Sequence, residues 1–138
     1  MVLTTSYFAV AHHLDGTRIS IARMHHPRIR SCIDEFLPAF APSLTLIKTY
    51  KEGNMSWNRY VEIYTQEQRG HYKSNPENFL SLLERAVDEN LILMCYEKYE
   101  GPETKCHRLL MFDMLKKVAT LNGIDDLVFV QEQIYKRK

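Results

Sequence analysis

The run Leu91-Ile92-Leu93-Met94-Cys95-Tyr96 is the feature that most limits how this chain can fold. Consecutive apolar residues leave no polar face, the pattern of a strand covered on both sides of a sheet. Helical spacing flanks it. Upstream, Phe79, Leu82, Leu83, Ala86 and Val87 recur at helical intervals behind Pro76, with Asn75 or Ser74 as the cap. Asn90 is expected to close that helix in a left-handed conformation. Downstream, a loop with Gly101-Pro102 leads to a helix from about Thr104 to Asn122, stopped by Gly123, and Leu127–Val130 makes a short last strand. The order helix, strand, helix, strand implies a right-handed parallel crossover. The expected fold is a compact three-layer α/β domain with a mostly parallel central sheet flanked by helices.

The first half is less regular. Ser6–Ala11 and Arg18–Met24 read as strands separated by the turn signal Asp15-Gly16. Arg30–Phe40 reads as a weak helix stopped near Pro38, and Leu44–Tyr50 as a third strand. Ser56 can cap a helix over Trp57–Arg69 with Trp57, Tyr60, Val61 and Tyr64 on one face. That aromatic stripe reads as core packing rather than as a platform for bases.

A chain of 138 residues fits one domain spanning 1–138, and a folded chain of that length buries roughly two-thirds of its extended surface. The three cysteines suit a reducing compartment better than a disulfide scaffold. No run approaches the ~20 apolar residues that span a bilayer. The amino terminus, without Lys or Arg in Met1–Val10, does not read as a signal peptide. The expectation is a cytoplasmic protein without membrane contact.

The formal net charge is +1, which argues against a polycation. The charge is uneven, however: residues 1–30 carry Arg18, Arg23, Arg28 and Arg30 against Asp15 alone, with His12, His13, His25 and His26. This fifth of the chain is the expected anion-facing part.

Chemistry concentrates in Cys95-Tyr96-Glu97 and Cys106-His107-Arg108. Cys95 and Glu97 fall at the carboxyl end of the buried strand, the edge where open α/β sheets bind ligands. Cys106, His107 and Arg108 fall in the first turn of the next helix, whose free N–H groups and dipole favour anions and thiolates. Each has a plainer reading: Cys95 as a small buried hydrophobe, Glu97 as a solvated loop acid, Cys106 as packing, His107 as a capping imidazole, Arg108 as the partner of an acid. The C-x10-C-H spacing matches no standard zinc pattern, and neighbours on a helix start diverge, so neither metal nor cofactor is expected. GxGxxG, GxxxxGK[ST] and GxSxG are missing, as are nucleic-acid motifs.

The stretch ILMCYEKYEGPETKCHRLLMFDML, residues 92–115, resembles the family known as domain of unknown function number 488, close to its YeaO-like branch. FLPAFAPSLTLIKTY (residues 36–50) and ISIARMHHPRI (residues 19–29) are weaker matches. In the latter, Arg23 matches the family's strand-end arginine, whereas Ile21 or Ala22 stands where the family has an acid. The resemblance implies a pocket shared by Arg23, Cys95, Glu97, Cys106, His107 and Arg108, without naming a reaction.

The reading that follows is an enzyme for a small anionic ligand: a nucleotide, nucleobase or phosphorylated metabolite. Cys106, His107 and Glu97 are its catalytic candidates, and Arg23, Cys95 and Arg108 its ligand-binding ones. A non-catalytic sensing module in the same pocket is the first alternative. A nucleic-acid accessory protein using the basic first fifth and Lys136–Lys138 is weaker. A homodimer is compatible with either.

Overall fold

A computed structural model describes residues 1–135. The basic tail Lys136–Lys138, offered above as a nucleic-acid contact, lies outside the described residues. Five parallel strands form one sheet: β1 (Val2–Tyr7), β2 (Thr17–Ser20), β3 (Glu35–Phe36), β4 (Leu91–Cys95) and β5 (Val128–Val130), in the order β3-β2-β4-β1-β5. The α/β layered fold is as expected. Every residue of β4 is buried, because β1 and β2 pair with it on either side and layers cover both faces.

Alternation along β4 divides the core. Leu91 and Leu93 join Leu3, Ile19 and Ile21 under the helices α2 (Leu44–Lys51), α3 (Trp57–Ser74), α4 (Glu77–Asp88) and α5 (His107–Leu121). Ile92 and Met94 face the other way, onto Phe8, Ala11, Ala22 and Ile33. That thinner layer is the 3-10 segment Phe8–His13 and the short helix α1 (Pro27–Arg30). Among the described residues no helix is long and apolar enough to cross a membrane.

Several local expectations are corrected. The first strand is Val2–Tyr7, and Phe8–His13 turns into a 3-10 helix, so the strand lies four residues earlier than its side-chain types suggested. Pairing with β4 sets that position, from Leu3 opposite Leu91 to Tyr7 opposite Cys95. The weak helix expected over Arg30–Phe40 breaks into the end of α1, strand β3 and a 3-10 turn at Pro38–Phe40. Leu44–Tyr50 is helical: Ser43 Oγ accepts from Leu46 N–H at 3.2 Å while donating to Glu67 Oε2 at 2.6 Å. That cap outweighs the strand preference of the β-branched run. Ser56 caps α3 as expected, accepting from Arg59 N–H at 3.1 Å.

Asn90 does not adopt a left-handed backbone; among the described residues only glycines have positive φ. Its side chain instead accepts from Val2 N–H at 3.1 Å and its carbonyl from Thr17 N–H at 2.8 Å, stitching β1 and β2 to the start of β4. Gly16 turns beside it at φ 135°, where an added Cβ would lie 2.9 Å from Asn90 O. Gly123, at φ 68°, ends α5 with Ile124 N–H bonded to Ala119 O at 2.9 Å, a Schellman closure.

Candidate functional site

The carboxyl ends of β2 and β4 lie side by side, and the chain leaving β4 returns to that edge to start α5. Cys106 is the residue just before the first turn of α5, with extended backbone and no side-chain capping bond. His107 follows as the first helical residue. Its Nε2 lies 2.7 Å from the carbonyl of Ile21, one residue beyond β2. A carbonyl only accepts, so the neutral ring carries its hydrogen on Nε2 and leaves Nδ1 with a free lone pair.

Cys95 Sγ, at the end of β4, is 3.6 Å from His107 Nδ1 and 4.0 Å from Nε2, and it donates to Glu97 Oε2 at 3.4 Å. The Cys95, Cys106 and His107 donor atoms all lie within 4.8 Å of one another, and all three residues are buried. The two neighbours on the helix start therefore converge instead of diverging, because Cys106 precedes the helix in an extended conformation.

The thiol expectation is corrected in sign. Cys106 is 2% exposed, and burial holds its thiol well above its usual range, with the Cys95 thiol adding to the shift and His107 opposing it. The helix N-terminus was expected to do the opposite. Desolvation disfavours the charged form of a thiol buried this deeply.

Arg108 is corrected in place. It is fully buried and does not line the cleft; its Nε and Nη2 donate to Glu132 at 3.3 and 3.2 Å. Its Nη1 donates to the backbone carbonyl of Glu97 at 2.7 Å. One helical step past His107 turns the side chain about 100° around α5, onto Tyr7 of β1 and Glu132 in the segment after β5. It anchors the Glu97 backbone and offers no free fork to an anion. Thr5 Oγ1 donates to the same carboxylate at 2.7 Å, and burial pushes Glu132 above the ordinary carboxylate range.

Arg23, Cys95, Glu97, Cys106 and His107 line one cleft of about 100 Å³. Arg23 sits at its mouth, its Nε donating to Pro42 O at 3.0 Å and its Nη2 to Ala41 O at 3.3 Å. Those bonds fix the turn that approaches α2. The lining residues without a site reading in the sequence include Lys51 at the end of α2, Lys105 ahead of Cys106, and Trp57 and Tyr60 on α3. The aromatic spacing was legible; its position beside two thiols was not. Trp57 and Tyr60 stack at 4.8 Å and 17°. Tyr60 and Tyr64 are core residues, as expected of the stripe, while half-buried Trp57 lines the cleft. Burial, with Cys95, Cys106 and Glu97 nearby, raises the Tyr60 hydroxyl far above its usual range, so it stays a donor. Tyr64 packs edge-on to His107 at 5.6 Å and donates to Phe40 O at 2.6 Å.

An all-parallel sheet with a thiol–imidazole cluster at its carboxyl edge defines a class: α/β proteins whose chemistry sits at the strand ends. Within that class, residues 2–119 match the family model DUF488-N3a, described as the active DUF488-N3 subclade. The chain belongs to the DUF488 family. Comparison with curated proteins and with solved structures gives no match.

Proposed function

We propose that the protein is an enzyme acting on a small anionic ligand of the nucleotide, nucleobase or phosphorylated-metabolite class. One observation carries this reading: two thiols and an imidazole share the floor of a cleft whose rim holds Arg23, Lys51 and Lys105. The rim cations attract the anion, and Trp57 with the Tyr60 hydroxyl offers a flat apolar wall with one donor. His107 Nδ1 and Glu97 are the groups suited to accept or return a proton. A volume of about 100 Å³ holds roughly three waters. The deep part therefore suits the reacting group alone, with the remainder of the ligand lying against the rim. The description of the matched subclade as active favours an enzyme over a sensing module using the same cleft.

The test is a thermal-shift screen of the full chain against nucleoside monophosphates, free nucleobases and sugar phosphates, with mass-spectrometric detection of conversion for each hit. Conversion that is lost in His107→Ala supports the enzyme reading. A hit that shifts melting but is never converted favours the sensing module. No shift with any compound removes the ligand class.

A further inference from the structure

We propose that Cys95, Cys106 and His107 bind a single soft divalent cation, Zn²⁺, through Cys95 Sγ, Cys106 Sγ and His107 Nδ1, with the fourth coordination position open to the cleft. The inference deepens the reading above, since it concerns the same cleft, but it does not depend on the ligand class named there.

The geometry supports it in three ways. Zinc bonds of about 2.3 Å to sulfur and about 2.0–2.1 Å to nitrogen, arranged tetrahedrally, place sulfur and nitrogen about 3.6 Å apart and two sulfurs about 3.8 Å apart. Cys95 Sγ and His107 Nδ1 are already 3.6 Å apart, and no pair of the three donors exceeds 4.8 Å. Gathering them on one ion takes shifts of about an ångström or less.

The imidazole is held as a metal-binding histidine is held. Its Nε2–H is fixed on the Ile21 carbonyl at 2.7 Å, which leaves Nδ1 as the free donor atom on the side of Cys95. That carbonyl belongs to a residue whose own N–H continues the ladder to Met94 O at 3.1 Å, so the orientation is set by the sheet.

The charge also balances. Binding displaces one proton from each thiol to solvent, and two thiolates with a neutral imidazole exactly cancel a divalent charge. A buried site of this composition carries no net charge, which limits the cost of desolvating it. Two thiolates and one imidazole are also a donor set that selects zinc over magnesium or calcium. Three protein ligands are the complement of a catalytic rather than a closed structural site. Glu97, whose carboxylate is 3.4 Å from Cys95 Sγ, lines the same cleft.

In this arrangement the thiols are ligands and not nucleophiles, and with His107 Nδ1 on the metal Glu97 is the group left to accept or return a proton. The test uses the full chain. Metal content is measured after purification, and the protein stripped with a chelator is then titrated with Co²⁺ and Zn²⁺ alone, following the absorption of cobalt–thiolate bonds. The expected result is about one metal per chain, with an intense charge-transfer band that Zn²⁺ abolishes. Cys95→Ser and Cys106→Ser should each weaken Co²⁺ binding by at least about 100-fold, beyond what loss of an outer-shell partner costs. Cys32→Ser, on the far layer, should leave it unchanged. A wild-type chain that takes up no Co²⁺ or Zn²⁺, or whose cobalt band survives in Cys106→Ser, overturns the proposal. Thermal shifts with nucleoside monophosphates on stripped and Zn²⁺-loaded protein separate the two readings. Ligand shifts without metal uptake leave the ligand reading intact, and metal uptake without ligand shifts leaves the metal site intact.

Discussion

Cys106 and Arg108 are two residues apart, yet the fold gives them different work. Cys106 faces the cleft floor with Cys95 and His107, while Arg108 is buried against Glu132 and holds the Glu97 carbonyl. Helix geometry separates their directions, and the sequence motif alone conceals this. Burial predicts an order of thiol reactivity. Cys32 is half-buried on the outer layer, whereas Cys95 and Cys106 are 3% and 2% exposed. Iodoacetamide on the metal-free native chain should modify Cys32 first, with Cys95 and Cys106 reacting fully only after unfolding. Peptide mapping that finds Cys106 modified first near neutral pH would contradict the closed floor. Arg108→Ala should cost about 3–5 kcal/mol in urea unfolding, because it strands a buried carboxylate. Arg108→Met combined with Glu132→Leu should recover most of that loss. A loss under about 1 kcal/mol for the single change would mean that the pair is solvated.

At the scale of elements, legibility followed burial. Strand β4 and helices α3 to α5 announced themselves, since a two-sided core strand and strongly periodic helices write their environment into residue order. Val2–Tyr7 did not, because Thr4, Thr5 and Ser6 are buried polar residues that only the pairing with β4 explains. In Leu44–Lys51 the β-branched content favours a strand, and the Ser43 cap with its tertiary partner Glu67 makes the segment helical. Of the site, Cys95, Cys106, His107 and Glu97 were legible because strand end and helix start fixed their neighbourhood. Lys51, Lys105 and the Ile21 carbonyl were not, since only the tertiary fold brings them there. The edge strand β3 depends on a clamp from α4. Arg85 grips Glu35 through two bonds of 2.8 and 2.6 Å, and that bonding lowers the Glu35 carboxyl below its ordinary 4.5. A depressed carboxylate stabilises the fold above its unfolded value and loses that contribution as pH falls through the folded value. The side chains are 36% and 39% exposed, so after solvent screening the clamp contributes about 1 kcal/mol or less. Glu35→Gln should therefore lower stability slightly near neutral pH, and the difference from wild type should vanish progressively below pH 4.5. A difference that persists unchanged in acid would assign the effect to packing.

For the whole molecule, the sheet order places the ends of β2 and β4 together, and the chain between them supplies α2 and α3 as the cleft's outer wall. The DUF488 fold thus assembles one cleft from five separated stretches: the β2 end, the turn before α2, α2 with α3, the β4 end and the start of α5. That this cleft is an anion-binding site is the central claim, and its rim is the place to test it. Lys51 is exposed and carries no packing duty, so Lys51→Ala leaves the fold alone. The decisive measurement is isothermal titration of the nucleoside monophosphate or sugar phosphate giving the largest thermal shift, against wild type, Lys51→Ala, Arg23→Ala and the control Lys73→Ala, exposed at the far end of α3 from the cleft. Saturable binding to one site is predicted, weakened about tenfold or more, or about 1.4 kcal/mol, by each rim change and untouched by Lys73→Ala. Equal affinity in all four proteins would place the ligand elsewhere and contradict the account.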